Sequence, residues 1–151
     1  MDGMYLLSQG FLTAVFCVSF ALIFGLRGRM LPYTALGGVL GILTFRILEP
    51  YSTTLVSNFV AALVYALYAE GMARRLRKPA SLFLIIAMLP LVPGAGIYKA
   101  IYALVEGNGD EAARFGTEAL GIAAILSLAM VLVNSAARFS HEVRARRLGK
   151  R

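Results

Sequence analysis

Cysteine and histidine each occur once in these 151 residues, and the eight acids are outnumbered by fifteen Lys and Arg. Cys17 has no second cysteine to pair with, so no disulfide framework holds the fold, and the residue is expected to be a small packing group in the first apolar run. His141 has no cysteine or second histidine near it, which argues against a metal site. No carboxylates are paired for general acid–base work and no nucleophile has a base beside it. The glycines of Pro93-Gly94-Ala95-Gly96 lack the Lys-Ser/Thr ending of a phosphate-binding loop. An enzyme, a resident cofactor and a metal are therefore not expected. The N-terminus also lacks the basic region and small-residue cleavage site of a signal peptide, so its first apolar run is expected to be retained.

Apolar residues are abundant: 59% of side chains are hydrophobic and 15% charged. Soluble domains carry roughly 45–50% apolar residues and more charge. The composition predicts an all-α, multi-pass membrane protein. Five spans are expected near 5–26, 31–48, 53–72, 82–104 and 117–137, followed by a basic tail over 138–151. The net charge of +7 reads as orientation and not as nucleic-acid binding, because the basic residues sit between and after the spans. Arg27 and Arg29 follow the first span, Arg74, Arg75, Arg77 and Lys78 the third, and the tail holds six more. Placing these in the cytoplasm puts the N-terminus outside and the C-terminus inside, in a cell or inner membrane. The tail reads as a solvated flank or as a basic helix on anionic lipid. Gly37 and Gly41 form a G-x-x-x-G pair expected to serve helix packing. With Gly38 and Arg46 beside them, they also leave open a re-entrant second span.

The fourth span contains Pro90-Leu-Val-Pro-Gly-Ala-Gly-Ile-Tyr98. Pro90 and Pro93 each remove a backbone N–H, and Gly94 and Gly96 relax the backbone, so the helix is expected to break there. At about 1.5 Å per residue, Gly94 lies roughly 20 Å from Ser81, past the middle of a hydrocarbon core about 30 Å thick. Freed backbone groups at that depth need protein, water or a ligand to cover them. A second half-helix there would aim its partly positive N-terminus at an anionic group, although a kink that only shapes packing is the alternative. Pro90, Pro93, Gly94, Gly96 and Tyr98 are the candidate substrate-site residues. Arg46, Lys99 and Glu118 are candidate charged or coupling residues, because charges within a membrane are costly. Each also has a structural reading. Arg46 and Glu49 can pair at i,i+3, Lys99 can snorkel, and Glu118 can complement the dipole at the start of the fifth helix.

The segment Leu89 to Tyr98, with Pro-x-x-Pro-Gly and a Tyr four residues after that Gly, resembles the small subunit of the two-component threonine/serine exporter family. Phe24-Gly-Leu-Arg-Gly-Arg-Met-Leu-Pro-Tyr33 resembles the family's short basic exit from its first span, with Gly25 in place of the usual Asn. The resemblance covers most of the chain. It implies export of small amino or organic acids, such as threonine, serine or dicarboxylates, and a larger membrane subunit as partner. It matches Pro90, Pro93, Gly94 and Tyr98 to the motif. Two other readings stay open: a homo-oligomeric channel, and a non-transporting assembly subunit.

Overall fold

The computed structural model describes the backbone of residues 3–148, and the side chains of residues 3–139 apart from Leu82. The described residues form six helices: α1 Gly3–Ile23, α2 Met30–Leu48, α3 Thr54–Leu76, α4 Ala80–Met88, α5 Gly94–Val105 and α6 Gly109–Leu148. A 3-10 turn, Leu89–Leu91, follows α4. Four of them, α1, α2, α3 and residues Gly109–Phe139 of α6, are long and apolar enough to cross a membrane. The pair α4–α5 makes a fifth candidate span, bent by 49° at the break. This is the all-α membrane architecture with a broken fourth span that the sequence predicts.

Local chemistry sets the helix ends. Gly25 and Gly107 have φ of 75° and 79°, and behind each a reversed pair of hydrogen bonds closes the preceding helix. Leu26 N–H reaches Ala21 O at 2.9 Å after α1, and Asn108 N–H reaches Ala103 O at 2.9 Å after α5. Asn and Gly are the residues that enter this left-handed region most readily, which accounts for Gly25 at a position where the resembling family has Asn. Arg77 ends α3 in the same conformation, with φ 52°. Asn108 then caps α6 by accepting from Glu111 N–H at 3.3 Å. The connection after α5 is thus a tight turn of Glu106 to Asn108, and the last helix starts at Gly109 instead of near 117. Its backbone continues without a break through the expected tail to Leu148. The tail side chains, His141 among them, lie outside the described residues.

The glycines of α2 let three helices and the 3-10 turn approach. Gly37 faces the Tyr68 ring and Ala87, where an added Cβ would lie 3.1 and 3.3 Å from them, and Gly41 faces Leu91 and Tyr65 at 3.4 and 3.5 Å. Gly38 turns to α1, where an added Cβ would collide with Cys17 Sγ. The G-x-x-x-G pair therefore packs helices, and α2 is one uninterrupted helix. Tyr65 and Phe83 are fully buried where α2, α3, α4 and α6 meet.

α6 runs parallel to α3. It meets the start of α3 at Gly121, whose added Cβ would lie 3.4 Å from Leu55. At the far end, Arg74 donates to Ala137 O at 3.5 Å. The first turns of α6 instead pair with α5, where Gly96 lies close to Ala119 and Gly116 to Ala100.

Candidate functional site

Pro90 removes the N–H that would have satisfied Ile86 O, and the Cys17 thiol donates to that carbonyl at 3.8 Å. Leu89 O, which loses its α-helical donor at Pro93, accepts instead from Val92 N–H at 3.3 Å. Val92 is extended, and Pro93, at φ −75° and ψ 49°, forms an inverse γ-turn closed by Gly94 N–H to Val92 O at 2.7 Å. Ile97 N–H to Pro93 O, 3.0 Å, starts α5. Between these bonds the N–H groups of Ala95 and Gly96 have no acceptor among the described residues, and no side chain caps this helix start.

Both residues line an open cavity of about 310 Å³. α2 contributes Phe45 and Arg46 to it, α3 Thr54 and Asn58, the break Pro90 to Pro93, α5 Lys99, and α6 Phe115, Glu118 and Ala119. Arg46 Nη1 bonds Glu49 Oε2 at 3.0 Å, the pairing expected from their spacing, yet its buried Nε has no partner among the described residues. The same guanidinium lies 5.6 Å from the Phe45 ring centroid and 5.8 Å from that of Tyr5. Lys99 Nζ lies 5.6 Å from the Phe115 ring centroid. Asn58, buried, donates from Nδ2 to Thr54 O at 2.8 Å. Two cations, two free backbone donors and a single acid thus share one chamber, an arrangement able to hold a carboxylate.

Of the residues singled out in the sequence, Pro90, Pro93, Gly96, Arg46, Lys99 and Glu118 line this cavity, whereas Gly94 and Tyr98 do not. Tyr98 is 68% exposed and stacks on Tyr102 at 6.2 Å, on a different face of α5. Gly94 serves the turn. Glu118 is not at a helix start, as its sequence position suggested, because α6 begins at Gly109. Thr54, Asn58 and Phe115 were not among the candidates. Asn58 carried a readable signal, an amide within a span that costs free energy unless paired.

The family model described as "Threonine/Serine exporter, ThrE" matches residues 9–136. The chain belongs to the threonine/serine exporter family. It is therefore a multi-pass membrane protein of a transporter family, with the Pro90–Tyr98 break inside the matched region. An uncharacterized protein of Haemophilus influenzae is 29% identical to this exporter-family chain over 94 residues. The match covers 62% of the chain but 32% of that protein, so the chain spans about a third of the curated relative's length. No solved structure matches it.

Proposed function

We propose that this chain is the small membrane subunit of a two-component secondary exporter of small amino or organic acids, and that the cavity at the break receives the substrate's carboxylate. The observation that carries the reading is the pair of unaccepted N–H groups on Ala95 and Gly96, opening into a chamber that also holds Arg46 and Lys99. Unsatisfied donors within a membrane cost several kcal/mol each, so a ligand that accepts from them recovers that cost on binding. Arg46 Nε adds a third donor, and charge-assisted bonds of this kind are about twice as strong as neutral ones. A larger subunit is favoured by the open side of the cavity, because the freed N–H groups, Arg46 and Lys99 that line it need cover from lipid.

The test is Pro93→Ala with Gly94→Ala. Replacing both breakers stabilises local helix by about 3 kcal/mol for Pro and 1 for Gly, and lets the freed donors find acceptors within the chain. Export should be abolished while membrane abundance of the assembled complex is unchanged. Normal assembly with normal export would sink the substrate-site reading, and loss of assembly together with export would indicate a packing kink. Purified chain alone in liposomes should give no substrate flux, whereas robust flux without a partner would favour a homo-oligomeric channel.

A further inference from the structure

Glu118 borders two cavities. One is the chamber at the break. The other, about 720 Å³ and open, lies between the start of α3 and the early turns of α6, lined by Thr53, Leu55, Arg114, Thr117 and Gly121 among others. Thr54 and Glu118 are the residues common to both linings, and Thr54 does not titrate. Glu118 is thus an exposed acid shared by the linings of two open cavities. Its neighbour Ala119 lies against Gly96, one of the two free donors.

The polar and charged groups that share a cavity lining with Glu118 come from four helices. α2 gives Arg46, already bonded to Glu49. α3 gives Thr54 and Asn58, neither of which titrates, and α5 gives Lys99, held over Phe115. α6 itself gives Arg114 one turn earlier, its guanidinium 4.9 Å from the Phe115 ring centroid. Among the described residues none of these forms an ion pair with Glu118. The carboxylate is left to interact with whatever enters either chamber.

We propose that Glu118 is where a proton and the ammonium group of an amino-acid substrate exclude one another, with the second cavity serving as a proton route separate from the substrate's. The inference rests on the reading of the first cavity as the substrate site. The substrate carboxylate takes the Arg46, Ala95 and Gly96 donors, and its ammonium takes ionised Glu118 as an ion pair. A proton arriving through the second cavity adds to a Glu118 oxygen, forms a neutral carboxyl and removes the ammonium's partner. One proton is bound for each ammonium released, and no covalent bond other than O–H is made or broken. Such mutual exclusion links outward substrate movement to inward proton movement.

The probe is labelled L-threonine, with everted membrane vesicles containing the complete exporter, and a 2-hydroxy acid of the same carbon skeleton as the analogue without ammonium. Apparent affinity for L-threonine in the wild type should fall as the medium is acidified, approaching about tenfold per pH unit. Glu118→Gln should flatten that slope, abolish stimulation by an imposed pH gradient and lower L-threonine affinity at least tenfold, while the hydroxy acid, relieved of a like charge, should bind no more weakly than before. Glu118→Asp should keep the slope, and it decides the matter if the Gln variant fails to assemble. A Gln variant with the wild-type pH profile, equal loss of both probes, an Asp variant that transports without a slope, or a wild type indifferent to L-threonine and L-serine would each overturn the proposal. If the Pro93→Ala, Gly94→Ala protein exports normally, the cavity reading itself falls. If that protein is inactive and Glu118→Gln keeps its pH profile, only the role of Glu118 falls.

Discussion

Cys17, Gly38 and Ile86 form a three-residue contact that exists because Pro90 orphans a carbonyl. The thiol reaches Ile86 O only because Gly38 leaves room for the sulfur between α1 and α2. Gly38→Ala should therefore destabilise the protein by about 1–3 kcal/mol through overpacking, and Cys17→Ala should relieve much of that cost. Thermal unfolding of the two single variants and the double variant in detergent measures the coupling, and strictly additive effects would contradict the contact. The sequence shows Cys17 as a small packing residue in the first apolar run, and its burial agrees. Its partner was not legible, since residues 17 and 86 are brought together only by the packing of α1 on α4. The Arg46–Glu49 pair was legible because i,i+3 spacing on one helix needs no tertiary information.

Among the elements, α5 carries the least redundant packing. It rests mainly on α6, through Gly96 against Ala119 and Ala100 against Gly116. An alanine Cβ at Gly96 would fit at 3.4 Å from Ala119 Cβ, so Gly96→Ala should keep near-normal complex abundance and export. Gly96→Leu should push α5 from α6 and reduce export severalfold. Export rate normalised to membrane abundance separates the two, and equal activity of both variants would refute the close approach. This packing also sets the rotation of α5 about its axis, which is why Tyr98 faces away from the cavity although the motif placed it with Pro90 and Pro93. The packing side was readable, since Gly96, Ala100 and Ala103 recur at i, i+4 and i+7 as a small-residue stripe while the large side chains Ile97, Tyr98, Ile101 and Tyr102 are exposed. The early start of α6 was hidden. Gly107, Asn108 and Gly109 resemble a flexible linker in composition, but they act as a helix stop followed at once by a helix cap.

For the whole molecule, the parallel run of α3 and α6 bears on how many times the chain crosses. Were α4–α5 a re-entrant loop, α6 would start on the side where α4 starts and end beside the start of α3. Instead its Ala137 meets Arg74 at the end of α3. A fifth crossing through the bent pair gives that arrangement, and it gathers Arg27, Arg29, Arg74, Arg75, Arg77, Lys78 and Arg138 at one end. A reporter fused after Arg151 should accordingly be active only in the cytoplasm, and one fused before Met1 only outside. Activity of both fusions on the same side of the membrane would require four crossings.

Arg77 is the described non-glycine residue with positive φ, at the very end of α3 where glycine would be the easiest fit. Holding a side chain in that conformation costs about 1 kcal/mol or more, and Arg77→Gly should recover it as a melting temperature raised by a few degrees. The finished protein would thus be sturdier without this arginine. Arg77 is also one of four cations after the third span, and the positive-inside rule predicts that each of them biases the direction in which that span inserts. The expected outcome is a residue that costs stability in the fold and favours correct insertion. Pulse-labelled Arg77→Gly chains should therefore show more inverted molecules, even as those correctly inserted resist heat better than the wild type.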